Sequence, residues 1–64
     1  MIVGQTVYTV NNRTNEVDEW QYAGTLPTKD ELLIHLRTAN NQCFLPARCV
    51  FETREKALAV AEAQ

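Results

Sequence analysis

The sequence predicts a small α+β domain: a strongly bent antiparallel sheet of four strands, closed by a C-terminal helix. Three observations predict it. "GQTVYTV" and "EVDEWQYAG" alternate β-branched and aromatic residues on either side of the Asn-rich "NNRTN", the pattern of a hairpin. "LLIHLRT" and "CFLPARCVF" alternate apolar residues on either side of "ANNQ", a second hairpin. The closing "REKALAVAEAQ" is rich in good helix formers.

The first strand spans about 5–10 and the second about 16–23. In the first, Tyr8 and Val10 share one face, with Val7 and Thr9 on the other. In the second, Trp20 and Tyr22 share a face. Asparagine suits the turn because it tolerates left-handed backbone. Gly24 and Pro27 mark the following "TLPTKDE" as a loop.

Residues 32–38 support two readings. As a strand, Leu32, Ile34, Leu36 and Thr38 alternate with Leu33, His35 and Arg37. As a helix, Thr28 and Glu31 have capping-box spacing, acids fill the first turn, and Leu32, Leu33 and Leu36 share a face. The strand is preferred because it makes a second hairpin matching the first. The alternative is ββαβα, with residues 29–38 helical on a three-stranded sheet. The last strand is expected over 43–51 and the helix over 54–63, with Thr53 as N-cap and Glu55 in the first turn. The expected core is Cys43, Leu45, Cys49, Phe51, Leu58 and Ala61, with Ile34, Leu36, Val7 or Tyr8, and Trp20.

The chain has 64 residues, a single domain over 1–64, with 45% hydrophobic and 22% charged residues. Its net charge is −2. The basic residues Arg13, Lys29, Arg37, Arg48, Arg54 and Lys56 are scattered, so nucleic acid is disfavoured as a partner. No apolar run is long enough to span a membrane. The first residues lack the pattern of a signal peptide, which makes the cytoplasm the expected compartment.

Cys43 and Cys49 are the only cysteines. Six residues of straight strand would separate them by about 20 Å, too far for a disulfide or a shared zinc. Both are expected to be free, buried hydrophobes. His35, the single histidine, has neighbouring Ile34 and Leu36 but no nucleophile in any familiar motif. Asp18 and Glu19 point to opposite faces of a strand and cannot act as a catalytic pair. No catalytic residue, cofactor or metal is expected.

Tyr8, Trp20 and Tyr22 are the candidate partner-binding residues. If the first two strands pair across the Asn-rich turn, the three rings form a platform for a partner's proline or a stacked base. The competing reading is core, since a chain this small is expected to bury its one tryptophan.

The junction "VFETREKAL" resembles the C-terminal end of small uncharacterised bacterial and prophage proteins. In those, a short SH3-like barrel closes with a Phe-x-Thr-x-Glu turn into a helix. The matching residues are Phe51, Thr53 and Glu55, with Ala57 one place late for some variants, and they cover the last third of the chain. The resemblance implies a four-stranded SH3-like barrel with a terminal helix, and no activity. The functional expectation is a non-catalytic protein-binding module, such as an accessory or inhibitory protein of a prophage or mobile element. The alternative is a nucleic-acid-binding SH3-like barrel.

The expected partner is a protein or a second copy of the chain. A core this small without disulfide or metal is marginal alone, and exposed sheet edges attract pairing. Pro46 places its own strand at an edge or a bulge. The alanine-rich helix allows another element to approach closely.

Overall fold

The computed structural model describes residues 1–63; Gln64, the last residue of the expected domain, lies outside them. Four strands form one antiparallel meander in the order β1 (Thr6–Asn11), β2 (Glu16–Pro27), β3 (Leu32–Arg37) and β4 (Gln42–Pro46). A 3₁₀ turn at Ala47–Cys49 and the helix α1 (Arg54–Glu62) complete the chain.

β2 is the long element, and its two halves have different partners. Residues 16–21 pair with β1, and residues 21–27 pair with β3. Within β2, only Gln21 is paired with strands on both sides, opposite Thr6 of β1 and Arg37 of β3. Between Tyr22 and Gly24 the register slips by one residue, leaving Ala23 in a bulge. Gly24 has a φ of 137°, a conformation that only glycine adopts readily. Bulges bend and twist a strand, and here the bend brings the two half-sheets together. Val7 on β1 joins Tyr22, Ile34 and Leu36 in one buried cluster, although Val7's own strand partner is Trp20. Trp20, Cys43, Leu45 and Val50 pack against that cluster from their half-buried positions.

Of the expected loop at residues 25–31, residues 25–27 are instead strand, and only 28–31 form the turn. Pro27 is tolerated there because β1 does not extend that far, so β2 needs hydrogen-bond donors on one side only.

The strand reading of 32–38 is borne out by β3, and the helix of the ββαβα alternative does not form. Thr28 and Glu31 do interact, but they close a hairpin. The Thr28 N–H donates to the Glu31 carbonyl at 2.9 Å, and the Thr28 hydroxyl accepts from the Glu31 N–H at 3.0 Å. Thr38 and Asn41 repeat the device at the next turn, at 2.8 and 3.1 Å. The first hairpin uses an Asx turn, in which the Arg13 N–H donates to Asn11 Oδ1 at 2.9 Å, and Asn15 takes the left-handed φ of 59°.

The expected strand over 43–51 is corrected. β4 stops at Pro46, the last residue paired with β3, where the chain, with Pro46 at a φ of −58°, turns away through Ala47–Cys49. It returns to the sheet at one residue. Phe51 bridges Tyr8 on the outer edge of β1, with reciprocal main-chain hydrogen bonds of 2.8 Å each.

The helix begins as expected, with the Thr53 hydroxyl accepting from the Lys56 N–H at 3.2 Å. It lies against β1 and β2. Ala57 and Ala61, one turn apart, are its buried residues, while Leu58 is 39% exposed. That corrects Leu58 as a core residue: small side chains let the helix approach the strands, and Leu58 sits about 100° around the helix from Ala57. Cys43, Leu45, Cys49, Phe51 and Trp20 are half-buried where full burial was expected, and Tyr22 is buried.

Candidate functional site

The three candidate rings do not share a face. Trp20 stands opposite Val7, so it points into the core side of the sheet, and Tyr22, two residues on, points the same way. Tyr22 is buried in the central cluster. Trp20 is held by its indole N–H, which donates to Thr9 Oγ1 at 3.0 Å. Tyr8 stands opposite Glu19 and Phe51, on the other face. Two of the three therefore serve packing, and Tyr8 is half-buried apart from them.

Exposed large apolar residues lie at the N-terminus (Met1, Ile2 and Val3), at Leu32, on the helix (Leu58 and Val60), and, with Leu26 and Phe44, on the outer face of the sheet. On β3, Ile34 and Leu36 point inward and are all but inaccessible, so Leu33, His35 and Arg37 point outward. Leu33 is flanked by Leu26 on β2 and Pro46 on β4, which makes one apolar row across three strands. The next row is Gly24, His35 and Phe44. Leu26 is 47% exposed and Phe44 is 48% exposed. The His35 and Phe44 rings stack with centroids 4.5 Å apart and planes 11° from parallel. His35 Nε2 also lies 3.0 Å from Gln42 Oε1, which fixes the imidazole above the sheet. At the rim, Arg48 Nη1 lies 2.6 Å from Glu31 Oε2, tying the 3₁₀ turn to the β2–β3 hairpin.

Around the β1–β2 edge of this side lies an open depression of about 690 Å³, lined by Thr6, Glu19, Gln21, Arg37, Thr38 and Ala39 and also by Trp20, the one candidate ring that borders it. It is mixed in polarity and carries one acid and one base.

Both cysteines are free and half-buried. Burial raises the Cys43 thiol pKa, which keeps it protonated and a poor nucleophile. Among the described residues, no group of three His, Cys, Asp or Glu side chains is placed to hold a metal ion. No helix of the described chain is long and apolar enough to cross a membrane.

The outer row of Leu26, Leu33, Phe44 and Pro46 escapes sequence reasoning for two reasons. Leu26 lies in the stretch that reads as loop, and the bulge at Ala23 sets which of its residues face out. The alternation of Leu33 and His35 against Ile34 and Leu36 is the signal that could have found it.

No family model, curated protein or solved structure matches the chain.

Proposed function

We propose that the protein is a non-catalytic protein-binding module that works through the outer face of β2, β3 and β4. The observation that carries this reading is the apolar row Leu26–Leu33–Pro46 with Phe44 beside it, on the solvent side of a sheet whose other side is the core. Contiguous apolar surface with a polar rim marks contact sites on small proteins. The stacked pair of His35 and Phe44 adds a rigid aromatic anchor of the kind that dominates binding energy. A module of this kind acts by occupying a partner, which suits an accessory or inhibitory protein of a mobile element. The small sheet with its 3₁₀ turn and its return to β1 at Phe51 is compatible with an SH3-like barrel.

The test is affinity capture from a bacterial lysate, with and without nuclease, at low and high salt. The expected result is a protein partner that survives nuclease and salt, and that is lost with Leu26→Glu. Capture that vanishes with nuclease or falls steeply with salt would favour the nucleic-acid alternative. Equal capture by the wild type and Leu26→Glu would remove this face from consideration.

A further inference from the structure

We propose that β4 pairs edge to edge with β4 of a second copy of the chain, in antiparallel register about Phe44. This rests on the protein-binding reading and names one partner for it.

The hydrogen-bond phase of the β3–β4 hairpin fixes which groups of β4 face the free edge. The Thr38 N–H donates to the Asn41 carbonyl, so that pair is bonded. Antiparallel pairs alternate between bonded and non-bonded. Counting along the register, Leu36↔Cys43 and Ile34↔Leu45 are bonded pairs, while Arg37↔Gln42, His35↔Phe44 and Leu33↔Pro46 are not. The main-chain groups of Gln42, Phe44 and Pro46 therefore point away from β3, toward the free edge. Pro46, which has no N–H, falls on that free side, where a missing donor breaks no bond of the sheet. Among the described residues, no strand pairs with β4 on that side.

These groups match their own copy. With Phe44 opposite Phe44 of the second copy, the two residues exchange two N–H···O=C bonds. Gln42 then stands opposite Pro46 of the second copy, and its N–H donates to that proline's carbonyl; the symmetric bond forms at the other end. Every free donor of the edge is used, and the donor that proline lacks would have served only the terminal Gln42 carbonyl. A foreign strand has no such built-in correspondence.

Side chains agree with the backbone. The sequence of β4, Gln-Cys-Phe-Leu-Pro, carries no charge, so a two-fold axis brings no like charges into opposition. Natural edge strands are usually protected by charged residues, and this one has none. On the outer face, His35 and Phe44 already stack at 4.5 Å, close to the spacing of about 4.8 Å between strands. Pairing extends this stack into a row of four rings: His35, Phe44, then Phe44 and His35 of the second copy. Cys43 falls opposite Leu45 of the second copy, so the thiols stay unlinked.

The chain is short enough for chemical synthesis, and one N-methyl group on the Phe44 amide removes the central outward donor while keeping every side chain. Sedimentation equilibrium should show a monomer–dimer equilibrium for the unmodified chain. Its dimer constant should weaken by at least about tenfold on methylation, which corresponds to roughly the loss of one to two main-chain bonds. Amide exchange supplies a readout that needs no variant. The Phe44 and Gln42 amides should exchange at least about tenfold more slowly in concentrated than in dilute unmodified protein, by mass action. A chain that stays monomeric, or a dimer whose Phe44 amide exchanges equally at both concentrations, overturns the pairing. Protection of Phe44 only when a lysate partner is added overturns the second copy as occupant in favour of a foreign strand. A monomer that still captures a Leu26-dependent partner refutes the pairing alone. A Phe44-protected dimer without such a partner upholds the pairing while the wider reading fails.

Discussion

The indole N–H of Trp20 donates to the hydroxyl of Thr9 at 3.0 Å, diagonally across the β1–β2 ladder. Thr9 is buried, and its hydroxyl is the partner that lets a large polar-tipped ring pack against the core. Thr9→Val keeps the shape and removes the acceptor. It should destabilise by about 1–3 kcal/mol, the cost of leaving a shielded donor unpaired. Urea denaturation checks this, and an unchanged midpoint would show that water replaces the hydroxyl without loss.

The paired threonines of the two later turns predict additive effects. Thr28 and Thr38 each accept the N–H of the residue three places on. They sit at opposite ends of β3, about 20 Å apart by strand rise. Each Thr→Val change should cost about 0.5–1.5 kcal/mol. The double variant should show the sum, since distant sites rarely couple. A strongly non-additive double variant would mean that the hairpins share more than β3.

Gly24 predicts a backbone effect that packing does not account for. A Cβ there would meet no atom within 4 Å, yet φ is 137°. Gly24→Ala should therefore destabilise by about 1–3 kcal/mol through backbone strain alone. Thermal melts of Gly24→Ala beside Ala23→Gly would separate strain at Gly24 from general sensitivity of the bulge. Equal melting points for wild type and Gly24→Ala would contradict the strain argument.

Cys43 predicts a pH dependence. Burial raises its thiol pKa in the folded state. The unfolded chain then loses this proton at lower pH than the folded chain does, so the folded state binds more protons in the interval between the two pKa values. The contribution is fully present below the ordinary thiol range and is lost as pH rises through the folded-state value. Denaturant titrations in alkaline buffer should show a decline in stability that Cys43→Ala lacks. Parallel pH profiles for the two proteins would rule this out.

Local chemistry made part of this fold legible. The Asn-rich turn, the alternation of Leu33–His35 against Ile34–Leu36, and the Thr53 cap each express a short-range rule that the tertiary structure obeys. What was hidden depends on register. The bulge at Ala23 extends β2 through residues that look like loop and sets which face they take. Pro46 in the sequence marks an edge or a bulge, and in the structure it is also the end of its strand, which removes Cys49 from the alternation that ties it to Cys43. The three aromatic rings do not share a face for a related reason. Tyr8 and Trp20 lie one step out of phase across the ladder, and nothing in either strand alone specifies that offset.

The bridge between Tyr8 and Phe51 has a kinetic consequence. Each hairpin of the meander joins neighbours in the chain and closes on the microsecond scale. The Phe51 bridge instead joins the first strand to the last residue that pairs with the sheet, and its loop closure spans most of the protein. Its longer loop closure predicts that it forms after the hairpins and opens before them. Destabilising it should quicken unfolding and leave the folding rate nearly unchanged. The seam between the two ends of the chain thus governs how long each molecule stays folded, and the three turns govern how fast it arrives there.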